Sequence, residues 1–125
     1  ILVDTLHLHR TGGNADDLRG IDPRLMPYIQ LCDASAGLID DSPEGLIEDA
    51  LYLRQLPDDG ELALHDILSK LDPQLPLSLE IRSRELMQRT AGDALSRAEI
   101  VFAGAQRFLG LAPSQKPAKH TVTNS

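Results

Sequence analysis

Three short apolar runs in this chain each close on a side chain that carries oxygen, and that recurrence constrains the fold more than any other feature. Ile1-Leu2-Val3-Asp4, Tyr28-Ile29-Gln30 and Leu77-Ser78-Leu79-Glu80 end on a carboxylate, a carboxamide and a carboxylate. Strand side chains alternate between faces, so Ile29 and Leu31 fall on one side and Tyr28 and Gln30 on the other. In the third run Leu77, Leu79 and Ile81 share a face, opposite Ser78, Glu80 and Arg82. If the three strands are parallel neighbours, Asp4, Gln30 and Glu80 meet at their C-terminal ends. Two carboxylates and a carboxamide gathered there make a hard-metal site short of one or two ligands. Without that convergence they are three polar residues closing three strands.

Between the runs the pattern turns helical. Residues 1–9 read as a strand followed by a Gly-Gly turn, and residues 16–21 as a weak polar helical turn that Pro23 stops. Ser42 and Pro43 look like the N-cap and first position of a helix over residues 43–54, burying Leu46, Ile47, Ala50, Leu51 and Leu53. A second helix is expected over residues 61–71, and a loop or helical turn over 84–90. The longest is expected over 93–109, with Leu95, Val101, Phe102 and Phe108 on its apolar side and Gly110 as C-cap.

Strands alternating with helices imply parallel pairing through right-handed crossovers. Three strands do not close a barrel, which takes eight strands and about 250 residues. The expected fold is therefore α/β, about three βα units forming the C-terminal portion of a TIM (β/α)8 barrel over residues 1–111. Residues 112–125, rich in Pro, Ser, Lys and Asn without periodicity, are expected to be a disordered tail. A free-standing small α/β sheet is the alternative.

Charge narrows the partners. A net charge of −7 argues against nucleic acid or an anionic membrane, since each wants a basic surface. The basic clusters are Arg82/Arg84/Arg89 and Lys116/Lys119. The single cysteine, Cys32, excludes an internal disulfide, fits a reducing compartment, and reads as a small buried residue within the second run. No stretch approaches the ~20 apolar residues of a membrane span, so the expected location is cytoplasmic. The start at Ile1, inside an apolar run, suggests a fragment.

Four motifs in order carry a resemblance. They are Asp4-Thr-Leu-His7 at a strand end, Tyr28-Ile-Gln-Leu-Cys-Asp33, Arg54…Pro57…Gly60-Glu61-Leu62, and Leu77-Ser-Leu-Glu80. Together they resemble the C-terminal part of the xylose-isomerase-like TIM barrels, the sugar phosphate isomerase/epimerase superfamily. The resemblance implies one divalent metal ion at the barrel mouth, held by Glu, Asp, His or Gln, and Glu from successive strands. Asp4, Gln30 and Glu80 match the last three, and the first glutamate would lie in a missing N-terminal part of the barrel. The fragment alone would then be inactive. Gln30, where many sugar isomerases have His, is similar to the 3-dehydroshikimate dehydratase branch. Pro57-Asp58-Asp59-Gly60 lacks the family's usual first glycine.

What the resemblance implies chemically is a sugar (phosphate) isomerase or epimerase. It would abstract a proton next to a carbonyl through a metal-stabilised enediolate, on a sugar or hydroxy-keto substrate. The oxygen-rich ligand set favours Mg²⁺ or Mn²⁺. His7 is the expected substrate binder and acid/base, imidazole being the side chain suited to proton exchange near neutral pH, and Glu80 both ligand and participant in proton transfer. Arg10 and Arg54 are candidate substrate contacts, and Asp33 a residue that orients a ligand. The alternatives are a 3-dehydroshikimate dehydratase-like lyase and a non-catalytic barrel remnant, and a homo-oligomer is left open.

Overall fold

The computed structural model describes residues 1–111. The expectation of a tail over 112–125 therefore lies outside the described residues. The element order is β1 (Val3–Asp4), α1 (Thr5–Arg10), β2 (Ile29–Leu31), α2 (Pro43–Tyr52), α3 (Leu64–Ser69), β3 (Leu77–Leu79), α4 (Arg84–Arg89) and α5 (Ala94–Phe108). Two 3₁₀ turns, Ala15–Leu18 and Pro23–Leu25, carry the chain from α1 to β2.

The first strand is shorter than its sequence suggests. Asp4 Oδ1 accepts hydrogen bonds from the amides of Leu6 at 3.0 Å and His7 at 3.2 Å, so the chain turns helical immediately after Asp4. The Leu-His-Leu-His alternation over residues 6–9 has the period of a strand, but the N-cap decides the outcome. Elsewhere the local signals hold more closely, though α2 ends at Tyr52, short of Arg54, and α3 covers only Leu64–Ser69 of the expected 61–71. Ser42 caps α2 with Pro43 in its first turn, and Asp93 caps α5 by accepting from the Ser96 amide. Gly110, at φ 67°, follows the α5 cap residue Leu109 in the left-handed conformation that glycine adopts freely.

The sheet has three strands in the order β1-β2-β3, and both pairs are parallel. Val3 pairs with Ile29 and Asp4 with Gln30, while Ile29, Gln30 and Leu31 pair with Leu77, Ser78 and Leu79. Val3, Ile29, Met26, Ile67 and two residues of the first 3₁₀ turn, Ala15 and Leu18, form one core cluster. Leu6, Leu31, Cys32 and Ala34 pack with Leu62, Leu64 and Phe108 in a second. Complete burial of a side chain such as Ile29 or Leu31 contributes about 1.5–3 kcal/mol each.

Two helix faces depart from expectation. In α2, Leu46 and Ile47 are exposed, and the buried residue is Asp49. In α5, Leu95 and Phe102 are exposed, while Gly104, Ala105 and Phe108 are buried. Gly104 packs against Leu56 closely enough that a Cβ there would sit 3.3 Å from both Leu56 δ-carbons, a tight contact. No helix among the described residues is long and apolar enough to cross a membrane.

Candidate functional site

Parallel pairing places the expected residues at one end of the sheet. Asp4 and Gln30 are register partners. Glu80 lies two residues past Ser78, the partner of Gln30, and its amide donates to the Leu31 carbonyl at 3.1 Å. Strand alternation puts Ser78 and Glu80 on the face that Gln30 shares with Asp4. Asp4 is buried, and Gln30 and Glu80 are partly buried.

The charge facing Asp4 comes from Arg54. Residues 53–55 are strapped across the strand ends, because Leu53 bridges Ser83 and Gln55 bridges Asp33, each antiparallel. Between them, the Arg54 amide donates to the Arg82 carbonyl at 3.1 Å. Its side chain is buried, 5% exposed, and Nη1 donates to Asp4 Oδ2 at 2.7 Å. Nη1 also lies 3.3 Å from Cys32 Sγ, and Nε donates to the Ala50 carbonyl at 2.8 Å. Nη2 approaches His7 Nε2 at 3.4 Å. A guanidinium only donates, so this contact needs His7 Nε2 as the acceptor. Asp4, His7, Cys32 and Arg54 therefore form one connected group.

Burial is the largest influence on Arg54 and would lower its pKa. The hydrogen bond to Asp4, with the Asp4 charge and the hydrogen-bonded Cys32 sulfur, outweighs it, so the guanidinium is held above its ordinary value. Burial pushes the Cys32 thiol up; the Arg54 cation opposes that shift and the Asp4 charge adds to it. The thiol is thus an uncharged core group at neutral pH.

Arg10 and Asp33, both anticipated at the site, are committed to architecture. Arg10 Nε donates to Asp49 Oδ2 at 2.8 Å in a pair only 7% and 10% exposed. Its remaining donors reach the Ser35 and Ala36 carbonyls at 2.8 and 3.0 Å. Asp33 is buried and takes amide hydrogen bonds from Ala34, Leu62 and Asp58 at 2.8, 2.9 and 3.0 Å. It shapes the 55–62 loop rather than touching Asp4, Gln30 or Glu80 through any of these bonds. In that loop Asp58 takes φ 71°.

Thr5 and Asp49 were not anticipated. Thr5 Oγ1 donates to the Cys32 carbonyl at 2.7 Å and accepts from the Cys32 amide at 3.0 Å, tying the end of β1 to β2. Asp49 gives no local signal, since its partner is 39 residues away. His65, which the sequence leaves without neighbours, contacts Asp58 Oδ1 at 3.1 Å and lies over Phe108.

The strand-end donors are two carboxylates and a carboxamide, a set whose chemistry fits a hard divalent ion. The pocket is also built to face Asp4 with positive charge, which Arg54 supplies. Among the described residues no group of three or more His, Cys, Asp or Glu is close enough to hold a metal, so such a site would depend on the Gln30 amide oxygen.

No family model and no curated protein matches the chain. Among solved structures it is similar to a crystal structure of the IolI protein with a binding zinc atom, at 21% identity and a TM-score of 0.60. That likeness covers 86% of this chain and 38% of the IolI chain, so the sequence spans well under half of that structure's length. It concerns the fold: a small parallel α/β unit that recurs within a longer chain.

Proposed function

We propose that this chain is the C-terminal part of a xylose-isomerase-like barrel of the sugar (phosphate) isomerase/epimerase type. The reaction would be proton abstraction next to a carbonyl, passing through an enediolate. One observation carries the reading: Asp4 and Gln30 are register partners on adjacent parallel strands, with His7 and Arg54 packed against the same end. The fold likeness to IolI, whose structure contains zinc, supports it.

In this reading Asp4, Gln30 and Glu80 would hold a divalent ion, with Mg²⁺ or Mn²⁺ favoured by the oxygen donors. When bound, the ion supplies Lewis-acid stabilisation of the negative charge that develops as the proton leaves. Glu80, at the open end of β3, takes part in moving the substrate proton. His7 stands beside the same end on α1 and binds the substrate's hydroxyl groups or exchanges a proton with them. Arg54 presents donors to a substrate oxygen. Asp33 acts at one remove, through the shape of the 55–62 loop, and Arg10 through its clamp on residues 35 and 36.

Gln30 favours a second reading, a dehydratase of the 3-dehydroshikimate type that starts from the same deprotonation but expels a hydroxyl. The two separate in one assay series. Full-length protein with Mg²⁺ or Mn²⁺ is incubated with candidate sugars in deuterated water, and with 3-dehydroshikimate. Exchange of a sugar's α-proton, lost in Glu80→Gln, supports the isomerase; protocatechuate absorbance supports the dehydratase. Neither signal with either metal would overturn both.

A further inference from the structure

Asp4 has little carboxylate left to give. Oδ1 already accepts from two amides, those of Leu6 and His7, and Oδ2 carries the Arg54 guanidinium at 2.7 Å. A carboxylate has about four lone-pair sites; two on Oδ1 are filled by amides and one on Oδ2 by the guanidinium, so a divalent ion bound here would share Oδ2 with Arg54. The amides cannot leave without unwinding the start of α1. The guanidinium can. A cation on Oδ2 would also face Arg54 at close range in a pocket where both side chains are almost fully buried, with little solvent to screen like charges.

We propose that Arg54 is a built-in competitor for the metal position: the guanidinium and a divalent ion exclude one another at Asp4 Oδ2. Metal binding therefore requires the Arg54 head group to swing away. This rests on the reading above that Asp4 serves a metal. The surroundings allow the movement. Nε is tied to the Ala50 carbonyl at 2.8 Å, which gives the side chain a pivot on α2. Arg54 also borders a cleft of about 360 Å³ whose walls include Gln55, Ser83, Glu85 and Gln88. A guanidinium moved into that cleft would stand on its wall, placed to meet an oxygen-rich ligand. The same residue is then a counter-ion in one position and a ligand contact in the other.

Competition is reciprocal: whatever Arg54 costs the metal, the metal costs the Arg54–Asp4 pair. Removing the guanidinium's charge should therefore tighten metal binding, the opposite of what a residue supporting the site would do. The test is a direct Mn²⁺ titration of the full-length protein, read by electron paramagnetic resonance of free Mn²⁺, for wild type and Arg54→Gln. The expected result is binding tighter by about tenfold or more in the variant. A second measurement needs no stable variant. In wild type labelled with ¹⁵N-arginine, the Arg54 Nε–H resonance should move as Mg²⁺ is added, in step with occupancy. Equal or weaker Mn²⁺ affinity in a folded Arg54→Gln protein, or an Arg54 resonance that stays put at saturating Mg²⁺, overturns the proposal. If Arg54→Gln fails to fold, the wild-type titration decides alone. Should neither protein bind Mn²⁺ or Mg²⁺, the metal reading falls and the competitor with it; wild-type binding without the Arg54 response removes the competitor only.

Discussion

Gly60 and Asp58 sit two residues apart in the same loop, and their backbones make opposite demands. A Cβ on Gly60 would meet Asp33 Oδ1, and would lie 2.6 Å from the Ala34 carbonyl oxygen and 2.7 Å from its amide nitrogen. Those are backbone and buried carboxylate atoms with nowhere to move. Gly60→Ala should cost about 1–3 kcal/mol, by the same overpacking that penalises any inserted methyl in a filled core. Asp58 has a positive φ instead, a conformation that glycine accepts at no steric cost. Asp58→Gly should stay within about 0.5 kcal/mol of the parent. Urea denaturation of both variants checks the contrast; equal losses would mean that Asp33 does not fix this loop. The sequence reveals half of this. The missing first glycine can be read from Pro57-Asp58-Asp59-Gly60, but only the fold reveals that Gly60 is pressed against Asp33.

Some helices begin near where the sequence says they should, but α1 replaces an expected strand, α3 starts at Leu64 rather than 61, and the buried faces are not foretold. Ser42 is a legible cap because a cap is a local contact between one side chain and an amide two or three residues on; Asp93, read as the first residue of its helix, caps it instead. The Asp4 cap is equally local, yet it hides behind an apolar run that reads as strand. Burial is another matter, since it depends on what packs opposite. Asp49 is buried in α2, where Leu46 and Ile47 are not, because Arg10 on α1 reaches it. That pair joins two helices and the loop after β2, so removing the cation strands a buried carboxylate. Arg10→Met should cost about 3–5 kcal/mol in thermal or urea unfolding. A folded, equally stable variant with only a raised KM would return Arg10 to the substrate. The α5 cap carries a pH prediction. Hydrogen bonds from Ser96, side chain first and then backbone, hold the Asp93 carboxyl below its ordinary 3.8. A depressed folded value means the cap's contribution is whole above pH 3.8 and lost as the pH falls through that lowered value. Amide exchange at the start of α5 should accelerate across that acid window in wild type. In Asp93→Ala it should be fast throughout, and an unchanged acid profile between the two would dismiss the cap.

At the scale of the molecule, the architecture is legible because parallel strands and helices alternate along the chain and the pattern leaves few ways to connect them. The strand-end residues are legible for the same reason, since parallel register puts Asp4 beside Gln30 whatever the loops do. The Arg54 link is not, because it joins residues 50 apart, and the sequence puts Arg54 at the end of a helix that stops at Tyr52. What the sheet leaves unfinished has its own outcome. Among the described residues β1 and β3 each pair with a strand on one side only, and neither is longer than three residues. Bare margins of that kind recruit other backbones. A polypeptide of residues 1–111 studied by itself should sediment as a mixture that grows heavier with concentration, and a single slow species at every dilution would mean that something in this segment already shields them. Any preparation of this piece is thus a polymerisation problem before it is an assay, and stitching a further strand onto either rim should do more for its solubility than any change to its surface charge.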